Sequence, residues 1–275
     1  MDLTHLLLTR FNAAVNYAPD PKRLETDWLM NRLRLFEQYR LPSVVSQADA
    51  QFHWIVFFDV ASPRWFKEKI ESYGSLIHPI YIGGVCTDQM IQDGAAATGL
   101  VSTPYVVTTR LDNDDALARN HLALVQQSFD RQEREFIEFP NGLQSFRGHL
   151  YTFHMLANPF LSLIERVYSR NRFTTVFCID HTRVREMGRV KTIRTRSPQW
   201  LMVLHDGNVG NQLYGWPRLV SRSHPHFDVV WPPLQAGDSL AMRWKYTAES
   251  YGVRAGGFLK RVVHRFSSYP PHNAT

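Results

Sequence analysis

Cysteine, lysine and long apolar runs are scarce in this chain of 275 residues. The two cysteines, Cys86 and Cys178, are far apart and form no C-x-x-C pair. That argues against a disulfide framework or a cysteine zinc site and suits small buried thiols in a reducing cytosol. No stretch of about 18 uncharged apolar residues occurs, so no membrane-spanning helix is expected. The opening run Met1-Asp2-Leu3-Thr4-His5-Leu6-Leu7-Leu8 has no basic region before it and no small-residue cleavage site after it. No signal peptide is therefore expected, and the location expected is cytoplasmic. There is no internal repeat and no low-complexity segment. Lysine supplies only 6 of the 31 basic residues; the other 25 are arginine. Arginine forks onto phosphate in bidentate fashion, so the excess suits an anionic partner. Codon bias accounts for arginine over lysine equally well, but not for where the charge sits.

Apolar residues make up 44% of the chain, charged residues 20% and aromatics 13%, which excludes a disordered or collagen-like chain. The net charge of +6 is uneven. Residues 1–179 hold 17 basic and 19 acidic side chains, whereas residues 180–275 hold 14 and 6. The whole excess thus lies in the last third.

The first half reads as alternating strands and helices. Residues 5–11 form a short apolar run that stops at Asn12. Residues 24–41 carry a helical stripe through Trp28, Leu29, Leu33, Phe36 and Tyr39, with Pro42 as the stop. Residues 52–60 are near-continuously apolar, as in a strand covered on both faces. Pro63 opens a helix to about Tyr73, residues 76–82 form a third strand, residues 87–99 a helix and residues 105–111 a fourth strand. This spacing predicts βαβ units and a parallel sheet. Beyond it, residues 116–129 and 158–169 read as helices. Residues 136–140 and 148–155 read as strands paired across an Asn141-Gly142 turn, and residues 174–179 and 200–205 as further strands. Residues 183–199 read as a basic loop, residues 217–233 as irregular, and residues 238–266 as one or two terminal helices.

The most informative segment is Thr108-Thr109-Arg110-Leu111-Asp112-Asn113-Asp114-Asp115. Three carboxylates lie in four residues directly after an apolar strand, where like charges raise each other's cost. A divalent cation removes that cost, and Mg²⁺ and Mn²⁺ take carboxylates while leaving positions for substrate phosphates. In open α/β sheets the carboxyl ends of the strands form the ligand crevice. Asp112-x-Asp114 thus reads as a metal cluster on a diphosphate. The competing reading is an Asx-turn and helix cap, with Asp114 or Asp115 capping a helix from Ala116. A weaker signal is His205-Asp206-Gly207-Asn208, in which His205 is either a metal ligand or a satisfied loop histidine.

Together these residues resemble the bacterial rhamnosyltransferase family, of the GT-A glycosyltransferase type. The resemblance rests on Leu8-Thr9-Arg10-Phe11-Asn12, Trp28…Arg32…Leu35-Phe36, Leu41-Pro42-Ser43 and Trp54…Phe57-Phe58-Asp59. It continues through Arg110-Leu111-Asp112-Asn113-Asp114-Asp115, Asn158-Pro159-Phe160-Leu161-Ser162-Leu163 and Trp200…His205-x-Gly207-Asn208. It covers most of residues 5–210.

The resemblance implies a GT-A-like (Rossmann-like) α/β domain over residues 1–210, with a mixed, mostly parallel sheet flanked by helices. Its donor half would be about 1–115 and its acceptor half about 116–210. A basic helical or irregular extension, residues 211–275, would pack on the same domain. The implied activity moves a sugar from a nucleotide-diphosphate sugar to a glycan or lipid-linked acceptor, with Mn²⁺ or Mg²⁺ as cofactor. By the same resemblance Asp112, Asp114 and His205 would hold the metal, and Thr9, Arg10, Asn12, Asp59, Arg110, Asp112 and Asn113 the donor. An inverting reaction also needs a base, for which Asp180 at the end of the 174–179 run is the first choice; Glu165 and Asp206 are alternatives.

Arg183, Arg185, Arg189, Lys191, Arg194 and Arg196 read as a loop over the diphosphate or a face for an anionic acceptor. Arg254, Lys260, Arg261 and Arg265, interleaved with Phe258, Leu259, Val262, Val263 and Phe266, suit a basic amphipathic helix. Such a helix either packs on the core or touches the inner membrane peripherally. Two other classes compete. A nucleotidyltransferase or nuclease would need more dispersed carboxylates for two metals. A nucleic-acid binder would show recognisable motifs and aromatics among its basic residues, which this chain lacks, so no nucleic-acid partner is expected.

Overall fold

The computed structural model describes residues 2–15, 21–168, 173–205, 212–214, 216–217, 223–232, 241, 243–249 and 251–252. Strand β1 (Leu3–Arg10) leads through a single helical turn to α1 (Thr26–Leu35). A π-helical turn, Phe36–Arg40, carries the chain directly into α2 (Leu41–Val45). Pro42 therefore does not stop the helix. It falls in the first turn of α2, where its missing N–H costs little, after a turn already widened. Then come β2 (His53–Asp59), α3 (Arg64–Glu71), β3 (His78–Ile82), α4 (Asp88–Ala97) and β4 (Tyr105–Arg110). Thr87 caps α4, its Oγ1 accepting from the Met90 amide at 3.3 Å.

The second half departs further from expectation. Ala116 begins a strand, β5 (Ala116–Leu117), and helix α5 starts only at His121 (His121–Gln127). Strands β6 (Arg134–Glu138), β7 (Asn141–Phe146) and β8 (His149–His154) follow. Asn141-Gly142 opens β7 instead of turning a hairpin. The hairpin joins β7 to β8 through Arg147 and Gly148, which take φ of 50° and 77°. Residues 158–169, expected helical, contain strand β9 (Ser162–Arg166), while the 174–179 run is a non-strand segment. The basic stretch forms a short helix, His181–Glu186, and strand β10 (Arg189–Thr192). Strand β11 (Trp200–Leu204) and the edge strand β12 (Trp216–Pro217) complete the set. Residues 243–249 are helical, in keeping with the terminal helix expected there. The terminal basic stretch 254–266 lies outside the described residues.

Seven strands form one sheet in the order β10-β6-β9-β4-β1-β2-β3. Strands β1 to β4 pair in parallel, and β9 alone runs antiparallel, between β4 and β6. Its two faces are both covered, which is why its strands are apolar in consecutive residues. Leu7, Trp54, Val56, Phe58 and Val107 face α1, α3 and α5. Leu6, Leu8, Ile55, Phe57 and Val106 face α4. The fold is thus α/β with a mostly parallel sheet flanked by helices, as expected. A second sheet, β12-β8-β7-β11-β5, packs beside it, and Phe227, Val229 and Trp231 pack on Leu143 and Leu201 of that sheet.

Trp200 locks this second sheet to the core. It is fully buried, stacks on Phe160 at 4.9 Å between ring centroids and donates Nε1–H to the Phe139 carbonyl at 2.7 Å. The indole lies flat over Gly142, so a Cβ there would come within 2.1 Å of the ring. This close approach, not a turn, is what requires glycine at 142. Gly142→Ala is expected to cost at least about 2 kcal/mol by forcing Trp200 off its site; urea denaturation would show it as a lower midpoint with an unchanged slope.

Candidate functional site

A cleft of about 590 Å³ opens at the carboxyl ends of β1 and β4. Strand β1 has its successor β2 on one side and β4 on the other, so the strand order reverses between β1 and β4. Chains leaving neighbouring strands on opposite faces leave a crevice at such a point. Arg10–Asn12 after β1 and Arg110–Asp115 after β4 form its floor. Arg23, Trp28 and Arg32 close one side, and Pro159, Phe177, Ile179, Asp180 and His181 the other.

The acidic loop is the seam between the two sheets: β4 enters it and β5 leaves it. Asp115 is buried, and its Oδ1 accepts the Val203 amide of β11 at 2.9 Å. It therefore ties β11 to the loop rather than capping a helix. Burial, then the neighbouring Asp114 and Asp112, push its carboxyl well above the usual carboxylate range. Asp114 Oδ2 accepts from Arg32 Nη1 at 2.6 Å and lies 2.9 Å from His205 Nε2. His205 reaches this point because it directly follows β11, which pairs with β5. Asn113 donates Nδ2–H to the Phe11 carbonyl at 2.5 Å, fastening the loop to the end of β1. Asp112 is the most open of the three acids and takes Arg110 through both oxygens, at 3.3 and 2.8 Å. Burial raises its carboxyl, but Arg110, Arg10 and Arg40 outweigh that and hold it at about 2.

Beneath the loop lies a fully buried arginine. Arg40 Nη2 donates to Thr9 Oγ1 and to the Leu111 carbonyl, while its Nε and Nη1 have no hydrogen-bond partner. Burial lowers it to about 9 against the opposing pull of Asp112, Asp115 and Asp114. Above the loop, the Arg10 and Arg110 guanidiniums both lie over the Phe177 ring, at 4.3 and 5.4 Å from its centroid.

Arg10, Asn12, Arg110, Asp112, Asn113 and Asp114 all line the cleft, and His205 meets the last of them. Thr9 does not line it: its hydroxyl faces inward, accepting from Trp54 Nε1 at 2.9 Å and from Arg40. Asp59 acts one step back, pairing with Arg23 at 2.9 Å and accepting the Ala61 amide, while Asn12 bonds Ser62 at 2.9 Å. Glu165 sits in β9 opposite Val106, near the far end of the sheet, paired with Arg134. That position removes it from the candidate bases. Asp180 lines the cleft, but as the cap of the 181–186 helix: Oδ1 accepts from the Thr182 amide and hydroxyl at 2.9 and 2.5 Å. The Thr182 hydroxyl bond is the main cause of its lowered pKa. Asp206 lies outside the described residues. Arg183, Arg185 and Arg189 pair with Glu186, Glu138 and Glu135, so this stretch is a braced edge and not a loop over the cleft. Arg23, Arg40, Phe177 and Asp88 escaped the sequence reading, because no local pattern marks a side chain that reaches the site through tertiary packing. Arg32 appeared only as part of a helix pattern.

Asp112 and Asp114 are carboxylates of the kind that Mg²⁺ and Mn²⁺ take, and His205 would add one nitrogen ligand. Among the described residues no three such side chains surround one point. Two do converge: Asp114 Oδ2 and His205 Nε2 are 2.9 Å apart. Adjacent ligands about 2.1 Å from an octahedral ion lie about 3 Å apart, so this pair fits, with Asp112 beside it in the same loop.

A crevice of this kind, lined by arginines and carboxylates, is a site for a charged ligand. A family model described as "Putative rhamnosyl transferase" matches residues 12–215, and the chain belongs to that family of glycosyltransferases. No curated protein matches. Among solved structures, S. aureus TarS 1–349 is similar at 9% identity over 73% of this chain and 60% of that one, with TM-score 0.41. The same TarS segment in complex with UDP gives 0.42. A Desulfovibrio desulfuricans protein described as a "putative nucleotide-diphospho-sugar transferase" gives 0.36, at 10% identity over 74% of this chain and 82% of that one. The chain thus spans less than two thirds of the TarS segment.

Arg40→Met keeps the bulk of the stem but strips the buried charge from beneath three carboxylates. The expected loss is about 3 kcal/mol of folding stability, measured by urea denaturation at neutral pH.

Proposed function

We propose that the protein transfers a sugar, with rhamnose the candidate its family points to, from a nucleotide-diphosphate sugar to a hydroxyl of a glycan or lipid-linked acceptor. The reading places it in surface polysaccharide synthesis in the cytoplasm, with the basic terminal stretch contacting the inner face of the membrane. It also takes residues 1–210 as the catalytic domain and residues 211–275 as its extension. The observation that carries the proposal is the cleft itself. Four arginines, Arg10, Arg23, Arg32 and Arg110, line one concavity at the β1–β4 crevice beside Asp112 and Asp114. That is a site for a polyanion held next to a divalent cation.

In this reading Asp112, Asp114 and His205 hold Mn²⁺ or Mg²⁺, which, when bound, offsets the charge that grows on the leaving diphosphate. Arg10 and Arg110, steadied on Phe177, grip the phosphates. Arg23, oriented by Asp59, and Asn12 meet the nucleoside side of the donor. Asp180 takes the proton of the acceptor hydroxyl. Its hydrogen bonds to Thr182 stabilise the charged form, which keeps it ionised and ready to accept at neutral pH.

A thermal-shift screen of UDP-, GDP- and dTDP-sugars with Mn²⁺ tests the donor reading. One nucleotide class is expected to raise the Tm, and the Asp112→Asn, Asp114→Asn double variant to lose the metal-dependent part of that rise. Stabilisation by nucleoside triphosphates with sugar phosphates, and by no nucleotide sugar, would instead mark a nucleotidyltransferase. For the base, Asp180→Asn is expected to lower kcat by at least about 100-fold while donor affinity stays put; full turnover in that variant would remove Asp180 from the mechanism.

A further inference from the structure

Arg32 holds a position that its helix alone does not explain. It projects from α1, lies over Trp28 at 5.0 Å and places one nitrogen, Nη1, among three groups of the site. That nitrogen is 2.6 Å from Asp114 Oδ2, 3.3 Å from His205 Nε2 and 3.5 Å from Asn113 Oδ1. Asp114 and His205 are the two donors whose 2.9 Å separation matches adjacent ligands of one small ion. A guanidinium nitrogen therefore stands against both of the donors that converge.

The three contacts cannot all be hydrogen bonds at once. If His205 Nε2 carries the hydrogen, it donates to Asp114 and meets the Arg32 N–H donor to donor. If Nε2 is bare, it accepts from Arg32 and meets the Asp114 oxygen lone pair to lone pair. Neither tautomer satisfies all three contacts. An ion bound by the Nε2 lone pair and by the carboxylate would turn both toward itself and end the conflict. The Arg110–Asp112 pair shows no such conflict, since Nε and Nη2 each meet a carboxylate oxygen.

Resting on the reading of Asp114 and His205 as metal ligands, we propose that Arg32 is the resident cation of the metal-free site. A divalent ion binds by displacing its guanidinium from Asp114 and His205. Arg32 already lines the cleft, so the displaced guanidinium is a fourth arginine for the diphosphate, released only when metal arrives. Metal binding and donor grip are coupled in this way. The buried Asp114 carboxylate meanwhile is never without a positive partner.

The test uses the full chain and Mn²⁺ alone, with binding followed by electron paramagnetic resonance. Arg32→Gln removes the competing charge and keeps a hydrogen-bonding side chain, and is expected to bind Mn²⁺ roughly tenfold tighter than wild type, as for a competitor worth about 1.4 kcal/mol. Equal or weaker binding would show that Arg32 only braces the ligands, and would overturn the proposal. So would a failure of both proteins to bind at millimolar metal. Should the variant not fold, the wild-type protein carries the test. Its arginine side-chain nitrogen resonances, titrated with Mg²⁺, are expected to show the Arg32 signal leaving its ion-paired position as metal saturates; a signal unmoved at saturation overturns displacement. No nucleotide enters either measurement, so an unsuccessful donor screen and a failed displacement are separate results.

Discussion

Placing a carboxylate in a protein interior costs several kcal/mol unless a positive group or a hydrogen-bond donor meets it. Asp112, Asp114 and Asp115 present that cost three times within four residues, at the seam of two sheets. Much of the surrounding structure answers it. Arg40, at the end of the π-helical turn, lies under the loop and bonds Thr9 and the Leu111 carbonyl. Arg110 takes Asp112 and Arg32 takes Asp114. Asp115 has no cation in contact. It is met by the Val203 amide, and burial beside two other acids drives it toward the neutral form. The same loop thus contains one acid held low and one held high, each by its own neighbours.

The distribution of arginine around this loop corrects the simplest reading of the charge. The basic excess lies entirely in residues 180–275, which suggested a phosphate grip there. Yet Arg183, Arg185 and Arg189 are paired with glutamates along an edge of the large sheet. The four arginines of the cleft come from the first 110 residues, the slightly acidic part. Net charge by segment averages over pairs that cancel, whereas binding depends on which guanidiniums converge in a concavity.

Much of the fold was legible because the large sheet is covered on both faces, which leaves consecutive apolar residues in β1, β2 and β4. The acidic loop was legible because three adjacent carboxylates after such a strand have few structural uses. What was hidden depends on distant partners. Strand β9 is a strand because it lies between β4 and β6, and its five residues carry no decisive period of their own. The 174–179 run is apolar because Val176 and Phe177 pack on the core, with no strand partner at hand. Asn141-Gly142 looks like a turn, yet its glycine answers to Trp200, 58 positions later. His5 was read simply as part of an apolar run, but it bonds Thr109, which in turn bonds Ser162.

The two sheets bear on the site differently. The large sheet supplies the crevice and two of its arginines, Arg10 and Arg110. The second sheet supplies His205, and holds it by two links: pairing of β11 with β5, and the Asp115–Val203 bond. The second link starts in the acidic loop and the first in the strand that follows it, while β7 holds the other edge of β11. The residue proposed to complete the metal site is therefore positioned in part by the acidic loop it joins. Asp115, which lacks the open position of Asp112, contributes by fixing where β11 ends. A substitution at Asp115 would act on the site through the placement of His205, so its effect belongs with metal affinity rather than with the chemical step. That follows from the chain path: five residues, 111–115, connect the two sheets, and three of them are acids.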